Sequence, residues 1–140
     1  LVAVEIDPRT FEPRVVAVDL IVDAGKVLQP DLLTGQAQGG IAMGIGYALL
    51  EDLPIGVEGA GNGRWNLDRY HVAMWSDVPL GAMKVTALPS SSSTAKGIAE
   101  AVLCPIAPAI GNAVAAATGY RFRARSLPIR ASDIREGLRS

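Results

Sequence analysis

The stretch Pro30-Asp31-Leu32-Leu33-Thr34-Gly35-Gln36-Ala37-Gln38-Gly39-Gly40-Ile41-Ala42-Met43-Gly44-Ile45-Gly46-Tyr47-Ala48-Leu49-Leu50 decides how the chain is read. Leu32, Leu33, Gln36, Gly40, Met43, Tyr47 and Leu50 recur at three- and four-residue spacing, the period of one helical face. A helix is therefore expected from Pro30-Asp31 to about Asp52, with Asp31 as the N-cap whose carboxylate accepts the first free backbone amides. Gly35, Gly39, Gly40, Gly44 and Gly46 each cost about 0.8–1.0 kcal/mol relative to Ala in a helix. A helix carries that load where something approaches its backbone closely. On a structural reading that is another helix or a sheet; on a functional reading it is a ligand on the glycine face.

On the N-terminal side, Leu1–Ile6 alternates Val2, Val4 and Ile6 with small or charged neighbours and reads as a strand. Asp7-Pro8-Arg9-Thr10 is a turn and Arg14–Val22 a second strand, so the pair predicts a hairpin. Asp23-Ala24-Gly25-Lys26 is a further turn, followed by the extended piece Val27–Leu28. On the C-terminal side, Pro54–Arg64 reads as a loop whose glycines fit neither dinucleotide nor P-loop spacing. Trp65–Trp75 is expected to be extended, Met83–Leu88 a strand, and Ser90–Ser93 a polar linker or ligand loop. Pro105–Thr118 predicts an Ala-rich helix closed by Gly119. A last strand is expected over Arg121–Ile129, then a short helix capped by Ser132 with Ile134 and Leu138 facing inward. Strands and helices mix without a βαβ repeat, so the expected class is α+β, with one glycine-rich and one Ala-rich helix.

Composition bounds the function. A chain of 140 residues, 49% hydrophobic and 19% charged, is one folded domain with a real core. A net charge of −1 is too little positive charge for phosphate neutralisation, which argues against a nucleic-acid partner. The charge is uneven: the six Arg residues after Tyr120 face only Asp133 and Glu136. Arg121, Arg123 and Arg125 read either as the solvated face of a strand, which is the favoured reading, or as a docking surface. One Cys and one His make neither an internal disulfide nor a Cys/His metal site. The longest apolar stretches, near 41–50 and 103–117, fall short of a membrane span. The chain opens on Leu1 with no signal-peptide charge pattern, and a piece of a longer polypeptide is expected.

Glu100 is the leading candidate for chemistry. In Ala95-Lys96-Gly97-Ile98-Ala99-Glu100-Ala101 it is the only acidic residue between Asp77 and Asp133. A carboxylate set against apolar chain suits a general base near neutral pH. The plainer alternative is an acidic residue at a helix N-terminus. Gln36 is second, since its amide both donates and accepts; a surface glutamine is its plain alternative. Cys104 reads as a small buried hydrophobe and His71 as a strand residue with one hydrogen bond.

Four segments in this order resemble the C-terminal end of the large subunit of molybdenum hydroxylases, the xanthine dehydrogenase and aldehyde oxidase family. They are Asp23–Asp31; Gly35-Gln36-Ala37-Gln38-Gly39-Gly40 with Gly44–Leu49; Asn66–Tyr70 with Ser76-Asp77-Val78-Pro79; and Lys96–Glu100 with Pro108–Ala113 and Ala117-Thr118-Gly119. The third and fourth are most similar to the bacterial aldehyde and isoquinoline oxidoreductase branch. The resemblance implies that residues 1–140 form the second, C-terminal molybdopterin-binding domain. It implies Glu100 as the general base beside molybdenum. Gln36, Gly39, Gly40, Ala95, Lys96, Gly97, Ile98 and Ala99 become contacts of the molybdopterin, including its cytosine dinucleotide form.

No side chain of this segment is implied as a metal ligand, because the pterin holds the metal. The implied partners are the remainder of the large subunit, an iron–sulfur subunit, a flavin subunit or cytochrome, and a small-molecule substrate. The implied location is cytoplasmic. Such an enzyme oxidatively hydroxylates an aldehyde or N-heteroaromatic with water as oxygen source. The competing expectations are a non-catalytic scaffold that kept the fold and a carbon monoxide dehydrogenase-type member. One departure stands out: the family has Gly before the glutamate, where this chain has Ala99. Either an ordinary backbone angle is used there, or cofactor placement differs.

Overall fold

A computed structural model describes residues 1–53, 70–122 and 127–139. The loop expected over Pro54–Arg64, the segment Asn66–Arg69, and Arg123 and Arg125 lie outside the described residues. Strand β1 (Val2–Ile6) pairs antiparallel with β2 (Pro13–Val22), as the hairpin pattern predicts. Asp7 closes the connection, its Oδ1 accepting the backbone N–H groups of Arg9 and Thr10 at 2.7 and 3.2 Å. Strand β3 (Met83–Ala87) lies on the other side of β2, parallel to it, with Val18 opposite Met83. Parallel neighbours need a crossover, and the glycine-rich helix α1 (Pro30–Ile45) sits within it. Helix α2 (Ile106–Thr118) and the short α3 (Ala131–Gly137) complete the described elements, and the class is α+β.

The N-cap of helix α1 lies two residues earlier than expected. Gln29 is its N-cap and Pro30 occupies the first turn, so Asp31 lies inside the helix and does not cap it. The helix also ends early. At Gly46–Leu50 it widens into one π-helical turn, which Glu51 closes by donating its N–H to the Gly46 carbonyl at 2.8 Å. A side chain at Gly46 would meet the Glu51 carboxylate at 2.5 Å, and Glu51 in turn accepts the Tyr70 hydroxyl. That bond holds the Tyr70 phenol above its ordinary pKa, since it must keep its proton to donate.

The buried face of α1 is Ala37, Gly40, Ile41, Gly44 and Ile45, continuing to Ala48. It is not the stripe picked out by spacing: Leu32, Met43 and Tyr47 are exposed. The core joins this face to Val15, Val18 and Leu20 of β2, to Val102 in the turn before α2, and to Ile106, Ile110 and Val114 along α2.

Several local expectations give way. Gly119 does close α2, in the left-handed conformation at φ +75°. No strand runs through the described part of Arg121–Ile129; instead Arg121 Nη1 donates to Asn112 Oδ1 of α2 at 2.7 Å. Arg130, not Ser132, is the N-cap of α3, with its N–H held by Asp133 Oδ2 at 3.0 Å. Ile134 is fully buried but Leu138 is 50% exposed, because α3 is too short for both to face the core. Tyr70 is a bend, residues 71–74 form no strand, and Trp75–Asp77 is a 3₁₀ turn; His71 there is exposed rather than a strand residue.

The glycines of α1 fall into two classes. A methyl group at Gly40 would lie 2.3 Å from Val102 Cγ2, and one at Gly44 would lie 2.5 Å from Ile106 Cβ. At Gly35 and Gly39 it would meet nothing within 4 Å. Gly44→Ala is therefore expected to destabilise the protein by about 1–3 kcal/mol through overpacking. Gly35→Ala is expected to be neutral or stabilising by up to about 1 kcal/mol through helix propensity. Denaturant midpoints of the two variants check the contrast; equal losses would refute the two-class division.

Candidate functional site: the cleft between helix α1 and the Glu100 turn

The chain from Thr94 to Glu100 is fastened at both ends. At its start it forms an antiparallel bridge with Ala24–Lys26. Lys26 N–H donates to the Thr94 carbonyl at 3.0 Å, and Lys96 N–H donates to the Ala24 carbonyl at 2.9 Å. Gly25 makes this approach possible: its φ is +59°, and a side chain there would lie 2.6 Å from the Thr94 carbonyl oxygen. Asp23 reinforces the bridge, with Oδ2 2.5 Å from Lys96 Nζ and Oδ1 accepting Gly25 N–H at 3.0 Å. The Lys96 ammonium, then the Gly25 amide, hold the Asp23 carboxyl below the usual carboxylate range.

At its far end the segment enters a series of tight turns. Ala101 N–H reaches the Ile98 carbonyl at 2.8 Å, and Leu103 N–H reaches that of Glu100 at 3.0 Å. Val102 then inserts against Gly40. Between the two fastenings, Gln36 Nε2 of α1 donates to the carbonyl oxygen of Ala99 at 3.1 Å. Ala99 has φ +34°, the left-handed region that a residue with a Cβ seldom occupies. The departure from glycine therefore has a definite outcome. The backbone angle is not an ordinary one, and the alanine carries the strain.

Gly35, Gln36, Gly39, Gly40 and Met43 of α1 face Ala99, Glu100 and Leu103 across a cleft of about 190 Å³. Among these residues Glu100 is the only charged one. It is exposed and stands before α2 rather than in its first turn, so neither the apolar setting nor the helix-terminus alternative describes it. The backbone N–H groups of Gly97, Ile98, Ala99 and Glu100 donate to no acceptor among the described residues. With the open faces of Gly35, Gly39 and Gly97 beside them, they form a polar, unobstructed strip able to donate to a ligand.

Of the residues singled out by sequence, the cleft gathers Gln36, Gly39, Gly40, Ala99 and Glu100. Gly97 and Ile98 lead into it, while Ala95 and Lys96 serve the bridge to Ala24 and Asp23. Cys104 is exposed, not buried; its thiol lies 3.9 Å from the Glu100 carbonyl and lines a separate groove of about 670 Å³ with Tyr47 and Phe122. Gly35, Met43 and Leu103 were missed as lining residues. Gly35 could have been found, because it lies one helical turn before Gly39 on the same face. Among the described residues no three His, Cys, Asp or Glu side chains converge on a metal position, and no helix is long and apolar enough to cross a membrane.

Comparison with known proteins places these features in context. A family model described as a molybdopterin cofactor-binding domain matches residues 1–79. The molybdenum-binding subunit PaoC of an aldehyde oxidoreductase from Escherichia coli K12 is 34% identical over 125 residues, 87% of this chain and 17% of that protein. The beta subunit of isoquinoline 1-oxidoreductase from Brevundimonas diminuta is 36% identical over 109 residues, 78% of this chain and 13% of that one. The solved aldehyde oxidoreductase of Desulfovibrio gigas superposes with a TM-score of 0.81 at 28% identity, covering 98% of this chain and 15% of that one. The chain thus spans less than a fifth of each of these relatives.

Two consequences of the geometry are testable. The folded-state pKa of Asp23 lies below its unfolded value, so the stability it adds is present above the unfolded pKa and is lost as pH falls through the folded one. The melting-temperature gap between wild type and Asp23→Asn should be constant from neutral pH down toward the unfolded-state carboxyl value of 3.8 and narrow as pH falls further. A gap independent of pH would contradict the ion pair. At Ala99, relief of left-handed strain worth about 1–2 kcal/mol is partly offset by the greater unfolded-state freedom of glycine. Ala99→Gly should thus leave stability unchanged or raise it by up to about 1 kcal/mol, whereas Ala99→Val should lower it; unfolding midpoints decide.

Proposed function

The chain belongs to the molybdopterin cofactor-binding domain family, and from that premise we propose that residues 1–140 are the C-terminal cofactor-binding domain of a molybdenum hydroxylase. The enzyme oxidatively hydroxylates an aldehyde or an N-heteroaromatic substrate, with water as oxygen source. The substrate classes are those named by the relatives, an aldehyde oxidoreductase and an isoquinoline oxidoreductase.

The observation that carries this reading is the joining of Gln36 to the Glu100 turn. Two residues 63 positions apart, Gln36 and Ala99, meet by hydrogen bond beside a glycine face and a strip of free amides. That donor set suits an organic cofactor rich in acceptors. The amides of Gly97–Glu100 bind it, Gly35 and Gly39 allow close approach, and Gln36 and Lys96 keep the segment in place. Bound there, a molybdopterin, taken as its cytosine dinucleotide form, supplies the redox chemistry and holds the molybdenum. Glu100 is the general base: at the cleft it accepts the proton released as the substrate is hydroxylated. A glycine-like positive φ at Ala99, at the residue before Glu100, supports the catalytic reading over the scaffold alternative.

The remaining walls of the site come from the rest of the large subunit, with an iron–sulfur subunit and a flavin subunit or cytochrome as electron carriers, in the cytoplasm. Exposed Leu28, Leu32, Met74 and Trp75, the last 80% exposed, support a covering surface supplied by the rest of that subunit.

In the full-length subunit with its cofactor, Glu100→Gln keeps the shape of the side chain and removes its ability to accept a proton. Turnover should fall by about 10²–10⁴-fold, the usual contribution of a general base, with molybdenum content unchanged. Near-normal steady-state rates with full molybdenum content would remove Glu100 from this role.

A further inference from the structure

We propose that Gln36 is a positioning residue for Glu100, acting through the carbonyl group of Ala99. The inference rests on the assignment of Glu100 as the base. The carbonyl of Ala99 and the N–H of Glu100 belong to one rigid peptide plane. A donor at 3.1 Å on that carbonyl oxygen therefore fixes the orientation of the plane, and with it the direction in which the Glu100 side chain leaves the backbone.

The anchor matters more here because Ala99 sits at φ +34°. Left to itself an alanine relaxes toward negative φ, and that rotation swings the next peptide. No other donor to the Ala99 carbonyl exists among the described residues, and the flanking bonds lie at Lys96 and at Ala101. Gln36 is held on α1 next to Ala37, which is fully buried, so its backbone is a firm base for the contact. Its side chain is exposed and makes no other hydrogen bond among the described residues, so removing it leaves the core untouched.

Three variants of the full-length enzyme test this: Gln36→Leu, which removes the donor at similar size; Gln36→Glu; and Gln36→Leu combined with Ala99→Gly. Gln36→Leu should lower kcat roughly 10- to 100-fold, the scale for a misplaced catalytic group. KM should stay within about twofold and molybdenum content should be unchanged. In the cofactor-free protein, the hydrogen-bonded amides of Ala101 and Leu103 should exchange faster with solvent than in wild type, a readout independent of turnover.

A carboxylate at position 36 has no proton to donate, but a protonated carboxyl has one. The rate of Gln36→Glu relative to wild type should therefore rise as pH falls toward the carboxyl range. Glycine tolerates positive φ, so the kcat loss from Gln36→Leu should be smaller in the Ala99→Gly background. Loss of molybdenum with unchanged amide exchange would overturn the proposal and make Gln36 a direct cofactor contact. Unchanged kcat with unchanged exchange would overturn it as well. If Glu100→Gln abolishes turnover while Gln36→Leu does neither of these things, the positioning role fails and the general base stands. If Glu100→Gln retains turnover, the assignment of the base fails instead.

Discussion

The close approach of α1 to the chain entering α2 is the constraint on which the rest depends. Gly40 receives Val102 and Gly44 receives Ile106, each at a distance no Cβ would allow. Both partners are almost wholly buried, so the contact is also part of the core. The steps match, four residues on each side. Continued one turn toward the N-terminus of α1, the same register would bring Gln36 to Ile98, and its hydrogen bond falls one residue on, at the Ala99 carbonyl. The hydrogen bond of the candidate site therefore lies at the end of this packing, one residue out of step with it. Glu100 is positioned because Val102, two residues on, has nowhere else to go.

This explains why four glycines in one helix are tolerable. Their propensity cost is several kcal/mol in total, using about 0.8–1.0 kcal/mol each. At Gly40 and Gly44 burial of Val102 and Ile106 offsets it, at roughly 1.5–3 kcal/mol for each large aliphatic side chain. At Gly35 and Gly39 no protein atom takes up the space. The structural reading holds at Gly40 and Gly44, while Gly35 and Gly39, on a different face, are open to the cleft.

The legible part of the fold followed from period and punctuation. Alternation in Val2–Ile6 and in β2, Gly119 after an Ala-rich run, and the periodic apolar residues of α1 all led to the right elements. The inward face of α1 was not legible. When glycine and alanine do the packing, the buried stripe Ala37-Gly40-Ile41-Gly44-Ile45 carries less apolar bulk than the open stripe with Leu32, Met43 and Tyr47. Hydrophobicity then points the wrong way, and only close approach identifies the core. The caps failed for a related reason. Asp31 and Ser132 are good capping residues by type, but the chain enters each helix one or two residues earlier. The site was legible as residue types in order, through Gln36, Ala99 and Glu100. The bond joining them was not, since a contact across 63 positions leaves no trace in local spacing.

The site is made chiefly of backbone. Free amides at Gly97–Glu100, a carbonyl clamped at Ala99, and a bridge at Gly25–Ala95 supply its shape, and side chains mainly hold that shape still. Such a design sets unequal demands on its residues. Ile98 offers an amide that any residue except proline provides, so its side chain is free to answer to packing alone. Gly25 has no such freedom, because both its φ and its distance to Thr94 exclude a side chain. Ala99 stands between these cases. Its methyl group is tolerated sterically in an exposed turn, while its φ is not favoured, so its conformation has to be held from outside. A glycine at that position would adopt the angle unaided and lean less on Gln36. With alanine there, control of the peptide leading into Glu100 passes from the local chain to helix α1, and the 190 Å³ cleft becomes a property of two elements held together.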